Sequence, residues 1–354
     1  MLPRRAVTCR KAKSGLAGLA PWGLALALCV AGGWVHAQST ITLQGAGATF
    51  PAPLYTKWFF EYNKAHPNVR VNYQAIGSGA GIKAIRARTV DFAASDAPLS
   101  AAEAASMPGP VIQLPTVGGA VAIAYNLRLE KQLRLTPEAV AGIFLGQITR
   151  WDDSKIRAAN PGLNLPAKAI TVVHRSDGSG TTYLFTQYLS AISPTWKSRV
   201  GVGKEVSWPC GQGAKGNPGV AGLVKQIEGA IGYVELAYAK QNKLPVALLR
   251  NRSGRFVGPS VTATTAAIQG ALSRLEKDLT APIVNPAGAN AYPIAGLTFI
   301  IVYKQQPDAA RGKALVELLK WMMGPGQKYA PALDYAPLPQ ALIEKNMSLI
   351  GQIV

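Results

Sequence analysis

The sequence predicts an α/β protein of two domains, and three observations predict it. Apolar strand-like runs alternate with helical ones over most of the length, as in sheets flanked by helices. The 354 residues have 48% hydrophobic content, enough for two ordinary cores, and 16% charge with 36 Gly and 25 Pro describes a loop-rich globular chain. No internal repeat or low-complexity linker divides the chain, which fits domains joined by strand crossovers and not by a flexible tether.

The N-terminal segment stands apart. Arg4, Arg5, Arg10, Lys11 and Lys13 form a basic stretch with no acidic residue, residues 15–30 are apolar, and Val35-His36-Ala37 is a small-x-small cleavage pattern. Residues 1–37 read as a signal peptide cut after Ala37, leaving about 317 residues outside the cytoplasm. A retained anchor fits worse, because Pro21 interrupts the run and a span prefers roughly 20 apolar residues. The Arg4-Arg5 pair is weak evidence for twin-arginine export. Cys29 follows Leu28, where lipoprotein processing normally wants a small residue. Cys9 and Cys29 leave with this segment, so Cys210 alone remains and the mature chain has no intrachain disulfide.

In the mature chain, residues 41–44 form a strand that ends in a Gly-Ala-rich turn at 45–51. A helix follows to about Lys64, with Leu54, Trp58 and Phe59 on its apolar face and Pro51 in the first turn, where a missing N–H costs little. Residues 69–74 form a second strand, 76–81 a Gly/Ser turn, 82–89 a helix, and 91–96 a short strand and turn. Residues 113–126 carry Val117, Ala120, Val121 and Ile123 and read as a buried strand entering a new region. A helix at 136–145, a turn at 151–153, a strand at 169–173, a helix at 181–189 and a buried strand at 230–234 follow. A strand at 297–303 and an amphipathic helix at 311–323 come near the end. Residues 208–219 read as the least ordered loop. Because 117–124 and 297–303 flank a self-contained middle region, lobe I is expected to combine residues 38–126 with 292–354, and lobe II to span 127–291.

Three segments share one design, a strand, a turn of Gly, Ser or Thr, and a helix: residues 47–51, 77–81 and 177–181. Each offers free N–H groups and hydroxyls at a helix N-terminus, which favours anions. One such segment reads as a plain N-cap; three, with Arg175 beside the third, point to an anion site. Asp96 and Asp177 narrow the anion. A carboxylate is tolerable there if the ligand carries a proton, as phosphate does and sulfate does not at neutral pH. Asp96 reads equally well as a surface turn residue.

The segments Gly45-Ala-Gly-Ala-Thr-Phe-Pro51, Ile76-Gly-Ser78, Asp91-Phe-Ala-Ala-Ser-Asp-Ala-Pro-Leu-Ser100 and Arg175-Ser-Asp-Gly-Ser-Gly-Thr181 resemble the phosphate-binding protein of bacterial high-affinity ABC phosphate importers. Trp151-Asp-Asp153, Gly229-Ala-Ile-Gly-Tyr-Val234 and Leu333-Asp-Tyr-Ala336 are similar too, so the resemblance covers essentially the whole mature chain. It implies a two-lobed periplasmic binding protein fold with the ligand in the cleft between lobes. It further implies a monomer without cofactor or catalytic activity that binds inorganic phosphate and meets the membrane subunits of an ABC transporter. Carried over by position, Ala48, Thr49 and Phe50 would meet phosphate in the first turn, Phe50 through its N–H. Ser78 would donate from the second, and Asp96 would accept the phosphate proton. Arg175, held by Asp177, would contact the anion, and Ser179, Gly180 and Thr181 would close the shell. Gly79 stands where the family often has a second Ser, and His174 where Arg is familiar, which bears on affinity.

Rival functions fit less well. His174, Asp177 and Ser179 lie close in sequence and invite a phosphate-ester hydrolase, but no G-x-S-x-G elbow is present, and only His66 and His174 remain as metal-binding imidazoles. Gly45-Ala-Gly47 lacks the third glycine of a dinucleotide fingerprint, and no phosphate-binding G-x4-G-K-[ST] loop occurs. A binding protein for another oxyanion is disfavoured by Asp96. The formal charge of +19 falls to +14 without the leader, yet no dense Lys/Arg run signals nucleic acid; the scattered charge would draw anions at long range.

Overall fold

The structure is a computed structural model that describes residues 40–354; the signal-peptide reading, with Cys9 and Cys29, lies outside the described residues. The strands in chain order are β1 (Ile41–Gly47), β2 (Val69–Ala75), β3 (Phe92–Ser95), β4 (Val111–Tyr125), β5 (Arg134–Leu135), β6 (Thr171–Arg175), β7 (Gln212–Ala214), β8 (Ala230–Glu235), β9 (Leu248–Arg250), β10 (Phe256–Val257) and β11 (Ala295–Tyr303). Eight of them form one sheet in the order β2-β1-β3-β11-β4-β8-β6-β7, and β10-β9-β5 form a small second sheet.

The long β4 organises the large sheet. Its first part pairs antiparallel with β11 from Val111 to Ala120, and its last five residues, from Val121 to Tyr125, pair antiparallel with β8. One strand thus serves two half-sheets, β2-β1-β3-β11 on one side and β8-β6-β7 on the other. Within each half the inner strands run parallel: β1 with β2 and β3, β6 with β7 and β8. Parallel strands need crossover helices, and these cover the faces. β4, β8 and β11 are buried almost throughout, which explains why their sequences read as continuous apolar runs instead of alternating ones.

The helices carry bulky anchors into this core. Trp58 and Trp151 are fully buried, and each indole N–H donates to a backbone carbonyl, of Gly326 at 2.6 Å and Gly229 at 2.9 Å. Truncating such a residue to Ala costs about 3–5 kcal/mol.

Two local expectations change. The second helix runs Ser78–Arg86 and starts four residues earlier than expected. Gly77, at φ 95°, makes the turn by itself, and a Cβ there would lie 2.4 Å from Asp177 Oδ2. Residues 208–219 are not a single loose loop: β7 pairs parallel with β6, and a helix, Gly216–Gln226, begins directly afterwards. Gly-rich composition concealed a short edge strand and a helix start.

Candidate anion-binding site

Four helix N-termini meet at the junction of the half-sheets. They belong to the helices Ala52–Ala65, Ser78–Arg86, Gly180–Ile192 and Gly216–Gln226. The first three are the turns singled out in the sequence; the fourth comes from the segment read as a loop. Contacts among them are direct. Gly79 N–H donates to Gly178 O at 2.8 Å, and Gly180 N–H donates to Ser78 Oγ at 3.0 Å. Asn217 Nδ2 reaches Thr49 Oγ1 at 2.8 Å and Thr181 Oγ1 at 3.1 Å. A Cβ at residue 180 would stand 2.6 Å from Asp96 atoms, so only glycine permits this approach.

Thr49, Ser78, Asp96, Arg175, Ser179 and Thr181 are all buried, and what each has left to offer differs. Ser78 Oγ accepts from Gly180 N–H and from Asp96 N–H at 3.4 Å. With both lone pairs used, its proton must be donated. The Phe50 N–H and the Thr181 N–H donate to no atom among the described residues, as expected at helix starts. The Phe50 carbonyl is taken by Tyr335 Oη at 2.6 Å, and the Thr49 carbonyl by Tyr238 Oη at 2.6 Å. Ser179 is the N-cap of its helix, accepting from Thr182 N–H at 3.0 Å. Ala48 has both backbone groups engaged: its N–H donates to Ala94 O at 2.8 Å and its carbonyl accepts from Tyr73 Oη at 2.7 Å.

Arg175 ends β6 with its side chain 1% exposed, and Asp177 grips it in a fork, Nε to Oδ1 at 2.7 Å and Nη2 to Oδ2 at 2.5 Å. Asp177 also accepts the Gly216 N–H at 3.0 Å. Burial pushes the Asp177 carboxyl up, but the Arg175 hydrogen bonds and charge together with that N–H hold it below its ordinary value. Nη1 is not used by the fork, so the guanidinium is oriented and keeps donors to spare.

Asp96, just past β3, has one oxygen bonded by the Thr298 hydroxyl of β11 at 2.8 Å. Burial pushes its carboxyl up to about 7, against the Thr298 hydrogen bond, the Arg175 charge and the Thr181 hydroxyl, which pull it down. The surface-turn alternative for Asp96 is therefore excluded, since the residue is 1% exposed.

His174 lies beside the cluster. Its Nδ1 contacts Arg175 O at 3.0 Å, and its ring stacks on Trp208 with centroids 4.8 Å apart. Trp208 stacks in turn on Tyr233 at 5.6 Å, and the Tyr233 hydroxyl accepts the Arg175 N–H at 3.1 Å. The two residues His174 and Ser179 have other partners: His174 Nδ1 meets Arg175 O, and Ser179 Oγ caps its own helix. Among the described residues, no cluster of His, Cys, Asp or Glu is arranged to hold a metal ion.

Sequence reasoning missed Asn217, Thr298 and Tyr238, and quoted Tyr335 only within a motif, without a role at the site. Each acts on the site from an element remote in sequence, and a lone Asn after Gly216 or a Thr inside an apolar strand carries no spacing that would single it out.

Donors on converging helix N-termini, set where one strand joins two half-sheets, define a solute-binding protein for a small anion. The sequence profile of the PBP superfamily domain matches residues 35–325. The chain is 47% identical over 308 residues to the phosphate-binding protein PstS of Xylella fastidiosa (strain Temecula1), covering 86% of this chain and 84% of that one. It is 45% identical over 306 residues to the phosphate-binding protein PstS of Pasteurella multocida, covering 86% and 88%. The X-ray structure of a phosphate-binding protein from Stenotrophomonas maltophilia aligns with a TM-score of 0.66 over 88% of this chain and 93% of that chain, and at 22% identity it speaks for the fold. The chain belongs to the PBP superfamily and, within it, to the PstS family of phosphate-binding proteins.

Proposed function

We propose that this chain captures inorganic phosphate outside the cytoplasmic membrane and passes it to the membrane subunits of an ABC importer. One observation carries the reading. Buried donors (the Phe50 and Thr181 N–H groups, the Ser78 hydroxyl and the Arg175 guanidinium) lie on turns that meet one another, and the buried carboxyl of Asp96, whose proton affinity burial has raised, lies beside Ser78, Gly180 and Thr181. The donors suit anion oxygens, and Asp96 suits an anion that brings a proton. Phosphate has both features.

In this reading Thr49, Phe50, Ser78, Arg175, Ser179, Gly180 and Thr181 hold the anion, Asp96 takes its P–OH hydrogen bond, and Asp177 fixes Arg175. Ala48 contributes shape, since its backbone is already bonded. The lobes are residues 38–126 with 292–354, and 127–291. The pairing of β11 with β4 supports the return of the chain to lobe I, while β4 changes partner at Val121 and its residues 121–125 pair with β8 of lobe II. The protein acts as a monomer and catalyses no reaction; that the relatives are named as binding proteins supports the second point. Export by a cleaved signal peptide 1–37 to the periplasm is supported by the basic stretch, the apolar run and the Val35-His36-Ala37 pattern of the N-terminal sequence.

Calorimetric titration of the mature chain with phosphate and sulfate, at neutral pH and at pH 8.5, tests the reading. Tight phosphate binding with sulfate rejected at pH 8.5 is expected; equal affinity for both anions would end it.

A further inference from the structure

The helix start at Gly216 brings a buried side chain, Asn217, against two hydroxyls of the anion site. Asn217 is 0% exposed and makes four hydrogen bonds. Its Oδ1 accepts the backbone N–H of Glu235 at 2.9 Å. That partner can only donate, so the amide has one permitted orientation, with Nδ2 facing the threonines. One Nδ2 hydrogen goes to Thr49 Oγ1 at 2.8 Å and the other to Thr181 Oγ1 at 3.1 Å, while the Asn217 backbone N–H gives Thr49 Oγ1 a second bond at 3.2 Å.

A hydroxyl has two lone pairs and one proton. Thr49 Oγ1 spends both lone pairs on Asn217, and it donates to no acceptor among the described residues. Its proton is thereby reserved for a ligand. The same saturation is imposed on Ser78 by the backbone N–H groups of Gly180 and Asp96; at Thr49 it is achieved mainly by a side chain, which can be changed. Thr181 is less constrained, because it takes one bond from Asn217 and also faces the Asp96 carboxylate.

We propose that Asn217 is a positioning residue for anion binding, which makes Thr49 an obligate donor to phosphate and does so without touching the ligand itself. The inference rests on the phosphate reading and adds to it a residue from the opposite half-sheet. An Asp at this position would still accept the Glu235 N–H, but its other oxygen would take the Thr49 proton that the ligand needs.

The test is a double-mutant cycle with calorimetric phosphate titration of the mature protein: wild type, Asn217→Ala, Thr49→Val and the double variant. Asn217→Ala is expected to weaken binding by about ten- to a hundredfold, the range of a hydrogen bond to a charged partner. In the Thr49→Val background the same change should cost less than about threefold, because the hydroxyl through which it acts is gone. A purely structural asparagine would cost the same in both backgrounds, and that outcome overturns the proposal, as does unchanged affinity in Asn217→Ala. Should Asn217→Ala not fold, the cycle is run with Asn217→Asp, which keeps the shape and the Glu235 contact. Its added charge repels phosphate equally in both backgrounds and cancels, so a larger loss in the wild-type background than in the Thr49→Val background supports the proposal and equal losses overturn it. If wild type itself does not bind phosphate, the phosphate reading falls; if wild type binds and the cycle is additive, only the role of Asn217 falls.

Discussion

The ends of β3 and β6 bring one carboxylate each to the same site, and their surroundings treat them in opposite ways. Asp177 is half-buried, gripped by the Arg175 fork and by the Gly216 N–H, and stays charged more readily than an ordinary Asp. Asp96 is buried just past the end of β3 with the Thr298 hydroxyl bonded to it and the Thr181 hydroxyl beside it, and burial raises its carboxyl to about 7. Charge partners therefore decide at the β6 end and desolvation decides at the β3 end. Two acids can share an anion site because one is neutralised by a guanidinium it orients, and the other is free to hold or accept a proton.

The largest test of this contrast is selectivity. At pH 8.5 the Asp96 carboxylate is charged and should repel sulfate, while phosphate brings a proton to it. Sites that demand a ligand hydroxyl can discriminate by about 10⁴–10⁵-fold, and Asp96→Asn should erase most of that margin while leaving phosphate bound. Competition titration reads the ratio, and an unmoved ratio assigns selectivity to another group. Lowering the pH through 7 should weaken sulfate rejection in the wild type, because Asp96 then supplies the proton itself.

Stability of the ligand-free protein gives the next effect. The folded Asp96 pKa lies above the ordinary value, so its contribution is fully present below about pH 4 and is lost as pH rises through about 7. A rise from the ordinary carboxylate range to about 7 corresponds to at most about 4 kcal/mol. Glu235, buried with its carboxyl also raised by burial, slopes the same way, so the measurement is the difference between wild type and Asp96→Asn in urea unfolding from pH 4 to 8. Parallel curves would mean that Asp96 does not titrate in this window. Asp177, whose pKa is lowered, acts in the opposite sense and only below pH 4.

At the β6 end, Arg175→Ala should weaken phosphate binding by about 1.5–3 kcal/mol, the value of a hydrogen bond to a charged group; calorimetry with unchanged affinity would take Arg175 out of the site. Asp177→Asn should cost less than about tenfold, since an amide oxygen still accepts one guanidinium hydrogen bond. A loss equal to that of Arg175→Ala would mean that orientation of the guanidinium matters as much as its presence.

The two ends were not equally legible in the sequence. Arg175 and Asp177 sit two residues apart, and their fork could be anticipated from spacing. The burial of Asp96 could not, because it depends on β11, which returns about two hundred residues later with Thr298. The strand and helix pattern was readable where apolar runs were long, as in β4 and β11. It failed at residues 208–219, where glycine spacing looked like a loop, but β7 pairs along the open edge of β6 and the helix Gly216–Gln226 starts directly after it. That failure hid Asn217, which reaches both Thr49 and Thr181.

The stack of His174 on Trp208 gives the molecule an optical consequence. Trp208 is linked through His174 and Tyr233 to the backbone of Arg175, and indole emission responds to the ring lying against it. Adding phosphate should change tryptophan fluorescence, and Trp208→Phe should remove most of the change while calorimetric affinity stays within about threefold, since the indole lies outside the donor set. A signal that survives this replacement would have to come from another of the chain's tryptophans. With Trp208 as its source, the unlabelled protein would report its own occupancy in real time, and the speed of capture and release could be followed by stopped flow without attaching a dye.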